Sequence, residues 1–275
     1  METHRPGDGV NGHPLFDHPL NATSQFRAEE LVASVRRIRH LDGTPVPEIC
    51  ILEFDGDLTD ALIARGEARP FPEWPCFHTA MWLWESGDLS CGVVARTIGG
   101  PFAVLVAEQL LVCGAQVVIG ITSAGRVSDF TPVPGIVVAD SALRDEGTSM
   151  HYLPPSRTVE ADRQLADALV KSLATESLPL VRGTVWTTDA PYRETADQLQ
   201  RHSREGILAV EMQAASLFAF GQRQEFPVGL VAHVTNGGDE GQNFDKGGGD
   251  TDYRLLQAVC RGARRFLDGR QNLQR

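Results

Sequence analysis

Apolar residues recur at helical spacing from Phe26 through Leu31, Val32, Val35 and Ile38, with Glu29 and Glu30 at the start and Arg36, Arg37 and Arg39 at the end. That charge order suits a helix dipole and predicts a surface helix. The period then changes. Short, β-branched runs bounded by turn residues at 48–52, 92–95, 116–119, 135–138, 181–185 and 228–232 predict buried strands. Between and after them, helical spacing returns over Pro101–Cys113, Val159–Leu173, Arg193–Glu205, Met212–Gly221 and Asp252–Leu267. Strands alternating with helices predict the α/β class, a single domain with a central, mixed, twisted sheet flanked by helices. Residues 1–25 carry Gly, Pro, Asn and His without periodicity and are expected to be a flexible tail, leaving 26–270 as the domain. Trp74, Trp82 and Trp84, with Phe71 and Phe77, are read as core.

Composition narrows the partners. The 25 Lys and Arg against 36 Asp and Glu leave a formal charge of -11, which repels phosphodiester backbones and argues against nucleic acid. Cys50, Cys76, Cys91, Cys113 and Cys260 are scattered without metal-ligand spacing, so they read as buried thiols of a reducing compartment rather than a disulfide or zinc framework. The chain opens on a polar segment, and no apolar run reaches the roughly 18 residues of a membrane span. Cytoplasm is the expected location, with no membrane partner.

Active sites of such sheets gather beyond the strand carboxyl ends, and six polar segments lie there. Ala95–Pro101 joins Arg96 and Thr97 to a Gly99-Gly100 pair at a helix start; it serves equally as an anion cradle or as a tight turn. Ile119–Arg126 offers Thr122, Ser123 and Ala124 as a pocket floor, or is simply a turn after a strand. Arg144–Tyr152, with Glu146 and His151, is a solvated bend or a site wall. Thr187–Glu194 brings Asp189, Tyr192 and Arg193. Val210–Phe218 places Glu211 among apolar neighbours, where a carboxylate is costly unless hydrogen-bonded. Ala232–Glu240 ends a strand in a polar turn, with His233 read as a satisfied internal histidine. A glycine cluster, Gly247–Gly249, precedes the last helix and reads as a flexible loop.

Ile98-Gly99-Gly100-Pro101, Glu146-Gly147-Thr148-Ser149, the run Thr187-Thr188-Asp189 to Tyr192-Arg193-Glu194, and Val210-Glu211-Met212-Gln213-Ala214-Ala215 follow one another in an order that resembles the nucleoside phosphorylase and nucleosidase superfamily. The chain looks nearest its uridine phosphorylase-like branch, over about Ile49 to Leu267. The resemblance implies a nucleoside phosphorylase-like fold and a pentosyl-type glycosyltransferase that cleaves the N-glycosidic bond of a nucleoside. A phosphate-independent nucleosidase and a catalytically weak, ligand-binding member of the fold are the alternatives.

In the family, a Glu-Met-Glu stretch grips the sugar. Here it reads Glu211-Met212-Gln213, which keeps hydrogen bonding to hydroxyls and loses the charge that favours a cationic sugar. Purine-cleaving members protonate the base with an aspartate where this chain has Asn236, so a pyrimidine is favoured over a purine. Tyr192 and Arg193 lie where uridine-cleaving relatives recognise the base. The resemblance thus places catalytic roles on Glu211, Gln213, Arg193 and Asn236. It places substrate contacts on Met212, Arg96, Thr97, Gly99, Gly100, Thr122, Ser123, Ala124, Glu146, His151, Asp189 and Tyr192.

Phosphate is the possible co-substrate, but the family's Gly-Asp-Pro-x-Arg loop is replaced by Glu53-Phe54-Asp55-Gly56-Asp57-Leu58, whose Asp55 and Asp57 oppose an anion. No arginine precedes Thr122 as it does in that branch. No metal or organic cofactor is implied. A homo-oligomer, dimer or hexamer, is expected, with a neighbour completing each pocket.

Overall fold

The computed structural model describes residues 14–16, 19–236 and 249–273. In chain order the elements are α1 (Ala28–Arg39), β1 (Ile49–Glu53), α2 (Asp57–Ala64), β2 (Ala68–Pro70), β3 (Trp82–Ser86), β4 (Leu89–Ala95), α3 (Gly100–Val112), β5 (Val117–Arg126) and β6 (Gly135–Asp145). They continue with β7 (Thr158–Glu160), α4 (Arg163–Leu173), β8 (Leu180–Thr188), α5 (Ala196–Arg204), β9 (Ala209–Glu211), α6 (Ala214–Arg223), β10 (Val228–Asn236) and α7 (Gly249–Leu273). Short 3-10 turns lie at Pro14–Phe16, Thr148–His151 and Pro191–Arg193.

All ten strands join one mixed sheet. Pairings β1–β4, β1–β5, β5–β10, β6–β8 and β8–β9 are parallel, whereas β2–β3, β3–β4, β5–β9, β6–β10 and β6–β7 are antiparallel. Because β10 pairs with both β5 and β6, the path β5-β9-β8-β6-β10 closes on itself, and β1, β4, β3 and β2 extend from β5 as an open arm. Closure consumes strand edges and turns several strand ends toward one rim.

The apolar runs are continuous because both faces of the sheet are covered. Along β1, Cys50 and Leu52 pack with α3 and α6, whereas Ile49 and Ile51 pack with α2, α4 and α7, and all four are buried. A smaller cluster of Val127, Leu143, Trp186, Ile207 and Val210 lies under α5.

The α/β class, the single mixed sheet and its helical flanks are as the sequence predicts. Several boundaries differ, each for a local reason. The first helix starts at Ala28 and buries only Val32 and Val35, leaving Phe26 and Ile38 exposed. The helix expected from Val159 begins at Arg163, because Asp162 caps it by accepting from the Leu165 N–H and β7 pairs with β6 just before it. The one expected from Arg193 begins at Ala196, where Thr195 and Gln198 form a reciprocal capping box. The one expected from Met212 begins at Ala214, and the last helix is longer at both ends than Asp252–Leu267.

The segment read as a turn at Thr122–Arg126 is strand, and so are Arg144 and Asp145. Trp74 and Trp84 are core, but Trp82 is only partly covered and Phe77 is exposed. All five cysteines are buried free thiols, and burial pushes the thiols of Cys50 and Cys91 well up in pKa. Residues 1–13 of the expected tail, the turn at 237–240 and most of the Gly247–Gly249 loop lie outside the described residues; Gly249 itself opens α7. Among the described residues, no helix is long and apolar enough to cross a membrane.

Candidate active site

Two polar clusters occupy the rim. The first is built where β8, β9 and the turn after β6 meet the N-terminus of α6. Glu211 ends β9 and is buried, yet its carboxylate is well supplied with donors. Oε1 accepts from the Thr187 hydroxyl at 2.5 Å, and Oε2 accepts from the Gln213 and Ala214 N–H groups at 2.6 and 2.8 Å. Thr187 in turn accepts from the Ala215 N–H at 2.9 Å. These are first-turn donors of α6, which have no partner inside the helix. Burial nevertheless dominates, and with a minor contribution from Glu146 it pushes the Glu211 carboxyl up to about 7 despite the hydrogen bonds.

Gln213 sits at the helix N-cap, 1% exposed, and its Oε1 accepts from the Met212 N–H at 3.2 Å. Glu146 lies opposite. Its Oε2 accepts from the Ser149 N–H at 2.9 Å and the Ser216 hydroxyl at 2.6 Å, while Oε1 is buried with no partner among the described residues. Gly100 opens α3 against Ser216: a Cβ there would lie 2.9 Å from Ser216 Cβ and closer still to its Oγ, so only glycine fits. Asp189 accepts from the Gly147 N–H at 2.9 Å, and burial lifts its carboxyl above the ordinary aspartate range.

The second cluster lies at the ends of β1, β4, β5 and β10. Glu53 is buried and ties the turn after β1 to α2, accepting from the Gly56 N–H at 2.5 Å and the Thr59 hydroxyl at 3.0 Å. Gly56 adopts φ 94° and lies flat against Arg96, whose side chain a Cβ at Gly56 would overlap. Arg96, itself at φ 61°, pairs with Asp60 at 2.5 Å. Asp55 reaches β5, where its two oxygens accept from the Ser123 N–H at 2.8 Å and hydroxyl at 3.0 Å. His233 is buried on β10, with Nδ1 3.3 Å from Asp252 Oδ1 and Nε2 without a partner among the described residues.

The fold therefore gathers Glu211, Gln213, Met212, Glu146, Gly100 and Asp189 into one region, and Arg96 and Ser123 into the neighbouring one. Thr97 is buried with its Oγ1 unpartnered among the described residues, and Gly99 forms the N-cap of α3. Thr122 and Ala124 are buried on β5, the Thr122 hydroxyl being turned to the Ser123 carbonyl at 2.8 Å. Arg96 faces a carboxylate rather than an open anion cradle. His233 is internal as expected, though only one of its ring nitrogens is satisfied.

Tyr192, expected against the base, is 100% exposed, and Arg193 and His151 are also exposed. The Pro191–Arg193 turn ends before the Thr195 cap and projects outward instead of covering the buried carboxylates. Asn236 ends β10; its side chain is outside the described residues. Thr187, Ser216 and Asp55 were not assigned site roles from sequence. Thr187 and Ser216 stand inside the motifs already singled out, and that position is the signal that marks them.

The closed mixed sheet thus carries the Glu211-Met212-Gln213 turn on its rim, at the N-terminus of α6. Residues 48–267 match the family model described as the phosphorylase superfamily, and the chain belongs to that family. It is similar to a guanosine phosphorylase of Halorubrum lacusprofundi, 27% identical over 55% of this chain and 62% of that protein. It is also similar to a DeoD-type purine nucleoside phosphorylase of Dichelobacter nodosus, 26% identical over 52% and 62%, and to the uridine phosphorylase of Escherichia coli K12, 23% identical over 56% and 66%. The matched region thus spans less than two thirds of each of these relatives. The crystal structure of uridine phosphorylase from Vibrio fischeri ES114 shares the fold, with a TM-score of 0.64 at 21% identity over 83% of this chain and 92% of that one.

Proposed function

We propose that the chain is a pentosyl-transferring enzyme that cleaves the N-glycosidic bond of a nucleoside, with a pyrimidine favoured over a purine. The observation that carries this reading is the Glu211–Gln213 turn. The main chain and Thr187 engage both Glu211 oxygens, so Glu211 positions the turn. Gln213 uses its side-chain oxygen on Met212 and keeps two amide protons for sugar hydroxyls. Relatives named for purine nucleosides, 24–27% identical, and for uridine, 23–26% identical, are both remote, so base preference rests on Asn236, which has no carboxylic proton to give a departing purine.

The exposure of Tyr192 and Arg193 supports assembly with a second copy of the chain that covers the base side. Chromatographic detection of free base from a panel of uridine, thymidine, cytidine, adenosine, guanosine and inosine, with and without phosphate, tests the proposal. Uracil or thymine release is expected. Purine release alone would overturn the base assignment, and no release from any member would overturn the activity.

A further inference from the structure

Resting on that reading of the first cluster, the second cluster bears on which group attacks the sugar. We infer that the cleft between the ends of β1, β5 and β10 holds the attacking water, and that Asp55 is the base that takes its proton, so that the reaction is a hydrolysis.

A phosphate ion bound here would need unspent donors and positive charge. The donors and the positive charge nearest the cleft are turned to carboxylates. Ser123 gives its N–H and its hydroxyl to the two oxygens of Asp55, and Arg96 is held by Asp60. Charge opposes an anion as well, since Glu53, Asp55, Asp57 and Asp252 line the cleft together with Ser123 and His233.

Size points the same way. The cavity is about 20 Å³, room for about one water molecule. A buried water needs at least two polar partners, and the cleft supplies them. Asp55 spends one lone pair of each oxygen on Ser123 and retains the others. Buried His233 also lines the cleft.

Position along the sheet connects the cleft to the sugar turn. Ser123 lies two residues before Gly125 on β5, and Gly125 pairs with Val210, the residue before Glu211. Two strand residues span roughly 7 Å and the step across to β9 adds about 5 Å, so the cleft and the sugar turn border the same part of the sheet. Glu53 is not the base, because its carboxylate is buried and committed to Gly56 and Thr59. In the step, the water oxygen bonds to the anomeric carbon as the carbon–nitrogen bond breaks. Its electron pair leaves with the base. The water proton passes to Asp55 and then through solvent to the base nitrogen, giving free sugar and free base.

The test uses the full chain and a nucleoside it cleaves, in phosphate-free buffer and with added inorganic phosphate, with phosphorus NMR and a reducing-sugar assay on the products. Equal initial rates and free sugar in both buffers are expected. Asp55→Asn is expected to lower kcat by about 100-fold or more, the usual weight of a general base, with little change in KM. Formate is expected to restore part of the activity of Asp55→Ala, which a merely structural role would not allow. Should Asp55→Asn not fold, Ser123→Ala removes only one anchor of Asp55 and is expected to lower kcat about tenfold. Sugar phosphate as product, a phosphate-dependent rate, or an Asp55→Asn enzyme at full rate would overturn this inference while leaving glycosidic cleavage standing. No base release in either buffer would remove both.

Discussion

Glu211→Gln removes the one titration in the first cluster that the structure places near neutrality. In the native chain burial raises the Glu211 carboxyl from 4.5 to about 7. A carboxyl whose pKa is raised by folding binds its proton more tightly in the native state. The stability it contributes is therefore complete below about 4.5 and is lost as pH rises through about 7. At ~1.4 kcal/mol per pH unit, this amounts to ~3 kcal/mol across the window, or roughly 6–12 °C in Tm for a domain near this size.

The glutamine is nearly isosteric, and its amide oxygen serves the Gln213 and Ala214 N–H groups while its NH2 donates to the remaining lone pair of Thr187. Thermal unfolding of both proteins at intervals from pH 5 to 8 is the assay. From pH 5 upward about 2.5 kcal/mol of that remains to be lost, so the Tm of the variant is expected to gain on that of the native chain by roughly 5–10 °C between the two ends. A difference that stays constant with pH would refute the argument, because it would mean that Glu211 does not change protonation in that range.

Three further outcomes follow from the same geometry. Gly100→Ala forces Ser216 away from Glu146, leaving the buried carboxylate with the Ser149 N–H alone on Oε2, and is expected to cost about 1–3 kcal/mol in denaturant unfolding; an unchanged midpoint would contradict the close contact. Gln213→Ala deletes a neutral hydrogen bond to the sugar and is expected to lower kcat/KM about tenfold in steady-state assays; because the side chain is buried and accepts from the Met212 N–H, a stability loss of about 1–3 kcal/mol is expected with it. Phe218, 1% exposed between α6 and the sheet, is expected to lose about 3–5 kcal/mol on change to Ala, measured by urea unfolding at equilibrium.

The major strands were legible because both sheet faces are buried, so β1, β4, β5, β6 and β10 each leave a continuous apolar signature, whereas β8 is marked by its β-branched Val181, Thr184 and Val185. The elements without that signature escaped. β7 and β9 have three residues each, too few for any period. The Trp82–Ser86 strand lies toward the edge of the open arm and reads as an aromatic stretch. Helix α2 follows a turn that the resemblance had already claimed for phosphate. The start of α5 was readable in principle, since Thr195 and Gln198 have capping-box spacing.

The first cluster was largely visible because its residues fall within contiguous motifs. The second was not: the Asp55–Ser123 contact joins residues 68 apart, and Arg96 meets Asp60 across 36. Exposure of Tyr192 likewise follows from how the chain leaves β8, which composition does not record.

The self-satisfied pairs at the ends of β1 and β4 also constrain how the chain can change over generations. Freeing Arg96 by replacing Asp60 would leave the Ser123 donors still occupied, and replacing Asp55 alone would leave the guanidinium still bound. Neither step by itself opens a place for phosphate. Opening an anion site at these strand ends is therefore an epistatic change that needs at least two coordinated substitutions.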